Sequence, residues 1–238
     1  MEESPPLEEI TAWSYDLGQH GFLYPRMIPG NEFYRIYYTS VHIVQEFNDE
    51  YRNLSADDKL TFICRGTIKL LYSDTDKENY KNLRDRILAF FEKWYKGTET
   101  EQVKQIFQAY ESELYYPCLC GSVALVEKLL SDNNDPVTTS YHELISRKTD
   151  QLLQMTNDLR EDAILKANVA GFVDLLSKRV PFSENEPFFL NRHWLLHGRV
   201  ERKIYPEDCV GVFLLIDTLI ELNEKIEVDS PCPTSPAS

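Results

Sequence analysis

Residues Tyr80 to Gly97 read YKNLRDRILAFFEKWYKG. Leu83, Ile87, Leu88, Phe91 and Trp94 recur at steps of three and four with charged residues between them, the pattern of a helix with one apolar face. Gly97 is placed to end that helix as its C-cap. The same period extends in both directions. Upstream, Glu32–Tyr51 carries Phe33, Ile36, Tyr37, Val41, Val44 and Phe47 at helical spacing, and a polar turn spans 74–79. Between them Ser55-Ala56-Asp57-Asp58 reads as an N-cap with acids in the first turn, opening a helix through Phe62, Ile63, Ile68 and Leu71. Downstream, Thr98 is expected to cap a helix through Val103, Ile106, Phe107 and Tyr110. Tyr115-Tyr116-Pro117 interrupts the chain before a helix over Cys118–Leu130.

Beyond Leu130, SDNNDPVTTS (131–140) is a loop, and helices are expected near 141–156 and 161–178. A proline-bounded loop, Pro181–Pro187, precedes a short apolar segment over 188–198. A last helix opens at Tyr205-Pro206-Glu207-Asp208 and is expected to end near Asn223 or Ile226. There are nine glycines in 238 residues and no alternating strand pattern. The expected fold is therefore all-α: a helical region over 1–97, a helical bundle over 98–228 and a disordered tail over 229–238.

Composition narrows the function classes. Lys and Arg number 25 against 39 Asp and Glu, a net charge of −14. So acidic a chain is not built to coat nucleic acid nonspecifically. The charge is uneven, however: residues 161–205 hold seven bases against six acids, with Arg192, Arg199, Arg202 and Lys203 clustered. The longest apolar run, Val210–Ile216, is far short of the roughly 20 residues of a membrane span, and residues 1–6 lack the pattern of a signal peptide. A soluble cytoplasmic protein with no membrane association is expected. Five cysteines without an export signal read as reduced structural thiols. Cys118 and Cys120 have no second Cys/His pair at zinc-site spacing, so neither a metal nor a cofactor is expected.

No phosphate-binding glycine loop, dinucleotide fingerprint, zincin helix or nucleophile elbow occurs. Of five histidines, His193 and His197 lie close together, within Asn191-Arg192-His193-Trp194-Leu195-Leu196-His197-Gly198-Arg199. On a helix, positions five apart differ by about 140° around the axis, so Arg192 and His197 reach one cleft without obstructing each other. A guanidinium offers a planar fork to phosphate oxygens and an imidazole titrates near neutrality. The two suit RNA cleavage without metal: histidine exchanging protons with the ribose 2′-OH or the leaving 5′-oxygen, arginine stabilising charge on the phosphoryl oxygens. Spacing alone is not specific, since Arg35 and His42, with six residues between them against four here, are a comparable pair and read as structural residues of an amphipathic helix.

The context around Arg192 adds more. Asn191-Arg192-His193-x-x-Leu196-His197-Gly198, followed by the Ile204–Asp208 opening of a Phe- and Leu-rich helix, resembles the signature of the HEPN superfamily. Tyr115-Tyr116-Pro117 leading to Val126-Glu127-Lys128-Leu129-Leu130 is similar to that family's early helix, which carries a glutamate. The resemblance covers roughly residues 100–226 and implies an up-and-down helical bundle that dimerises through its Arg-x4–6-His motifs. It also implies a metal-independent endoribonuclease of the toxin–antitoxin or phage-defence kind, with an antitoxin or regulatory protein as a further partner. In that reading Arg192 and His197 are catalytic, Asn191, His193 and Glu127 support them, and Arg199, Arg202 and Lys203 track the RNA.

Two other readings stand beside it. In one, the chain is a non-catalytic interaction or regulatory module in which Arg192 pairs with Glu127 for structure and His197 sits in the core. In the other, Arg192 and its neighbouring bases hold the phosphate of a nucleotide. Trp194 reads as core, and Gly198 as the end of a short helix.

Overall fold

The computed structural model describes residues 7–23, 55–72, 77–95, 97–131, 143–144, 147, 159–184, 186–187 and 190–229. Among them are eight bounded helices and no strand: α1 (Leu7–Gln19), α2 (Ala56–Tyr72), α3 (Glu78–Trp94), α4 (Thr98–Glu111), α5 (Tyr115–Leu130), α6 (Leu159–Ser177), α7 (Arg192–Leu196) and α8 (Pro206–Asp229). The fold is all-α. The segment read as a helix over Glu32–Tyr51, including Arg35 and His42, lies outside the described residues, as do 132–140 and 230–238.

The architecture follows from α8. From Glu207 to Ile220 every residue is buried, with Cys209, Val210, Val212, Phe213, Leu215 and Ile216 covering all sides of the helix. A helix apolar around its circumference must be wrapped by others. Here α5 packs along it most extensively, and α2 and α3 add two further walls. α4 lies against both α3 and α5, where Phe107 and Tyr110 meet Phe213 with ring centroids 4.8 and 5.4 Å apart. Asp217, on this buried helix, pairs with Arg86 of α3, so its charge is compensated at the site of burial. α8 runs to Asp229, past the expected end at Asn223 or Ile226, since no glycine or proline breaks it before Pro231.

α1 falls within the helical region expected over 1–97, in a part where the sequence reading bounds no individual helix. It docks on α6 at a glycine crossing. A Cβ at Gly18 would stand 2.1 Å from the Asn168 carbonyl oxygen, and one at Gly171 would stand 2.0 Å from that of Tyr15. Only hydrogen at both positions allows this approach. Asn168, fully buried, fastens the crossing by donating from Nδ2 to the carbonyls of Ser14 and Phe22, each at 2.9 Å.

Local capping follows the sequence in one place and departs from it in another. Ser55 accepts from the Asp58 N–H at 3.1 Å and donates to Asp58 Oδ2 at 2.7 Å, which closes the first turn of α2. Gly97, with φ of 86°, is the N-cap of α4 rather than the C-cap of α3, which is Tyr95; Thr98 is the first helical residue and caps nothing. The hydroxyl that ties the two helices is that of Thr100, within reach of the carbonyls of Phe91 at 3.0 Å and Tyr95 at 2.8 Å. Residues on both sides of Gly97, from Leu17 to Ile220, contribute to one hydrophobic cluster. α5 begins at Tyr115, with Pro117 inside its first turn, where a missing N–H costs nothing.

Candidate functional site

α7 is five residues long, too short to persist by itself. Four side-chain bonds hold it against α5 and α6. Asn191, 2% exposed, is its N-cap: Oδ1 accepts from the Trp194 N–H at 3.1 Å, and Nδ2 donates to the Lys178 carbonyl at 2.7 Å, just past the end of α6. Trp194 Nε1 donates to the Val180 carbonyl at 3.1 Å. From α5, the Tyr116 hydroxyl donates to the Leu195 carbonyl at 2.8 Å, and Glu127 accepts the Arg192 guanidinium through Oε1.

The other end of α7 is closed by backbone alone. Gly198, at φ 66°, donates to the Leu195 carbonyl at 3.1 Å, and Arg199 N–H donates to that of Trp194 at 3.0 Å. This pair of bonds defines a Schellman cap, which needs the left-handed residue that glycine supplies. His197 is the C-cap itself and is exposed. Arg192 and His197 thus stand at opposite ends of one short helix whose termini are both pinned.

The ring contacts between them centre on Phe182, in the loop joining α6 to α7. His193 stacks on Phe182 with centroids 4.4 Å apart and planes 9° from parallel. His197 meets Phe182 edge-on at 5.5 Å and His193 at 4.6 Å, and Trp194 meets Phe182 edge-on at 5.4 Å. The Arg199 guanidinium lies over the same ring, with Cζ 4.4 Å from its centroid. Partial desolvation holds the His193 imidazole below its ordinary pKa, and the neighbouring His197, Arg179 and Arg192 push it the same way.

The basic residues near the motif divide into two sets. Arg202 turns inward: its Nη1 donates to Asp208 Oδ2 at 3.0 Å, while Arg65 donates to Oδ1 of the same buried carboxylate at 3.0 Å. Tyr205 N–H adds a third bond to Asp208 at 3.0 Å, which caps α8. Arg202 is thereby committed to the opening of α8. Arg179, Arg199 and Lys203 are exposed and form no ion pair with a described residue; Lys203 lies over the Tyr205 ring, 5.1 Å from its centroid. Glu186 Oε2 accepts the backbone N–H groups of Glu201 and Arg202, both at 2.8 Å, and so binds the loop before α7 to the loop after it.

Of the residues singled out in the sequence, the structure brings together Arg192 with Glu127 and His193 with His197, and sets His193, His197 and Arg199 against Phe182. Asn191 lies beneath them as a cap. Arg202 faces away, toward Asp208. Phe182 was missed. It is a loop residue with no periodic partner, and only the tertiary fold sets it against three residues of the motif. Leu114, Tyr116 and Leu196, 56%, 40% and 44% exposed, form the large apolar side chains exposed on α7 and at the start of α5. No group of three or more metal-ligating side chains is present among the described residues, and no described helix is long and apolar enough to cross a membrane.

The chain matches no family model, no curated protein and no solved structure.

Proposed function

We propose that this protein is a metal-independent endoribonuclease of HEPN type that acts as a homodimer in the cytoplasm. The observation that carries the reading is the arrangement about α7. Arg192 is oriented by Glu127 at one end, and an exposed His197 stands at the other. Around them Arg179, Arg199 and Lys203 lack acidic partners among the described residues, a local cationic surface on a chain of net charge −14.

The chemistry is internal transesterification. The ribose 2′-oxygen attacks the adjacent phosphorus and the P–O5′ bond breaks, which leaves a 2′,3′-cyclic phosphate and a 5′-hydroxyl. His197 exchanges the proton with the 2′-OH or the departing 5′-oxygen, and the Arg192 fork stabilises the charge gathering on the phosphoryl oxygens. His193, edge-on to His197, adds hydrogen-bonding capacity beside it. Exposed Leu114, Tyr116 and Leu196 beside the motif suit coverage by a second copy, which would bring two such motifs together. A role as toxin or phage-defence nuclease, restrained by an antitoxin or regulatory partner, belongs to the same proposal.

The second reading is an interaction module that keeps the motif for structure, favoured by the engagement of Arg192 with Glu127. One comparison separates the two: wild type and His197→Ala, each incubated with mixed RNA in EDTA. Cleavage by wild type alone, leaving cyclic-phosphate ends, is the expected result. No cleavage by either, with both folded and dimeric, overturns the nuclease and leaves the module.

A further inference from the structure

His193 lies parallel to the Phe182 ring with centroids 4.4 Å apart, and the Arg199 Cζ lies over the same ring, 4.4 Å from its centroid. The His193 imidazole is half-buried and meets His197 edge-on. Arg199 is exposed, and its guanidinium makes no hydrogen bond or ion pair with a described residue. The groups around it are fixed. Phe182 is held edge-on by Trp194, which is itself bonded to Val180. Arg199 N–H is part of the α7 cap, and Glu186 ties the flanking loops together.

An exposed planar cation seated over a fixed ring presents surface to solvent, and a flat π-system fits it. Guanidinium planes are a common platform for unpaired nucleobases, which have such a face whatever their identity. A carboxylate-bearing partner is the poorer fit: it would engage the edge of the guanidinium and make no use of the aligned rings. Resting on the nuclease reading, we infer that Phe182 and Arg199 form a nucleobase subsite beside the Arg192–His197 pair. An unpaired base of the bound strand packs on Arg199, while its phosphate lies toward His197 and Arg179. Arg199 then contributes a plane as well as a charge, and Phe182 positions that plane.

The test is binding, measured apart from cleavage. A short 2′-O-methylated single strand carrying 2-aminopurine has no free 2′-OH to attack phosphorus, and stacking quenches its fluorescence. The same backbone made wholly abasic is the control. Wild type, Arg199→Lys and Phe182→Leu are compared by titration, with melting temperature confirming that each is folded. Base stacking of this kind is worth about 1–3 kcal/mol, or roughly 5- to 150-fold in affinity. Wild type is expected to quench the reporter and bind it more tightly than the abasic strand by a factor in that range. Arg199→Lys, which keeps the charge, is expected to lose most of that preference, as is Phe182→Leu. Equal binding of the two strands by wild type, or an undiminished preference in Arg199→Lys, overturns the subsite and leaves the nuclease reading standing. No binding of either strand by the folded dimer overturns both.

Discussion

Gly171→Ala is the sharpest probe of how the fold is assembled, since one added methyl group meets backbone with no room to yield. The new Cβ would lie 2.0 Å from the Tyr15 carbonyl oxygen, 2.9 Å from its carbon and 3.1 Å from the Gln19 nitrogen. Ordinary contact begins near 3.4 Å, so α1 must retreat from α6 by more than 1 Å. That retreat lengthens both Asn168 bonds to Ser14 and Phe22, which bridge the same crossing. Overpacking costs about 1–3 kcal/mol, and an obstacle made of backbone places this case at the upper end. Alanine returns about 1 kcal/mol through its better helix propensity, which leaves a net loss of about 2 kcal/mol.

For a chain of this size that loss lowers the melting temperature by about 4–8 °C. The matched control is Gly66→Ala, on α2, where a Cβ meets nothing within 4 Å. There the propensity gain stands alone and raises the melting temperature by about 2–4 °C. Thermal denaturation followed by circular dichroism reads both. Gly171→Ala melting at or above wild type, or the two variants shifting in the same direction, would refute the close crossing of α1 and α6.

Two further outcomes concern the site. Asn191→Ala removes the acceptor for the Trp194 N–H and the donor to the Lys178 carbonyl, at a cost of about 2 kcal/mol; a melting temperature lowered by about 4–8 °C checks it. The His193 imidazole, titrated by NMR, is expected to have its midpoint below the ordinary 6.5 and to move upward in Arg192→Ala. The folded chain binds that proton less readily than the unfolded one. The stability His193 contributes is therefore present above pH 6.5 and lost as the pH falls through its folded midpoint, and replacement by Gln should remove that part of the pH dependence.

What the sequence discloses, and what it does not, divides along contact distance. The central position of α8 is legible in Val210–Ile216, since residues apolar on every face can only be interior. Ser55 and Asp58 announce their cap because the bonded groups are three residues apart. Glu127 could be named beside Arg192 because the resemblance supplied both helices, although 65 residues separate them. Nothing comparable marks α1. Gly18 gives no sign of a helix contact until Gly171 is set against it, and the two are far apart in the chain. Gly97 starts α4 where the sequence suggests that it ends α3, for a related reason: a positive φ in a short link serves the end of one helix as readily as the start of the next. In the site, the motif residues stand out by type and spacing, but the ring that organises them does not. Phe182 has no period and no motif, and its importance exists only once α6 and α7 are packed.

The glycine crossing also bears on how the chain comes to be folded as it leaves the ribosome. Gly18 is made early and Gly171 much later, so at about 5–20 residues per second α1 waits roughly 8–30 s for the helix it crosses at this close approach. The segment that follows α6 contains Phe182, Arg192 and His197. Docking of the first helix and completion of the cationic surface therefore occur within the same late interval of synthesis, and a nascent chain carries no assembled site for most of its time on the ribosome.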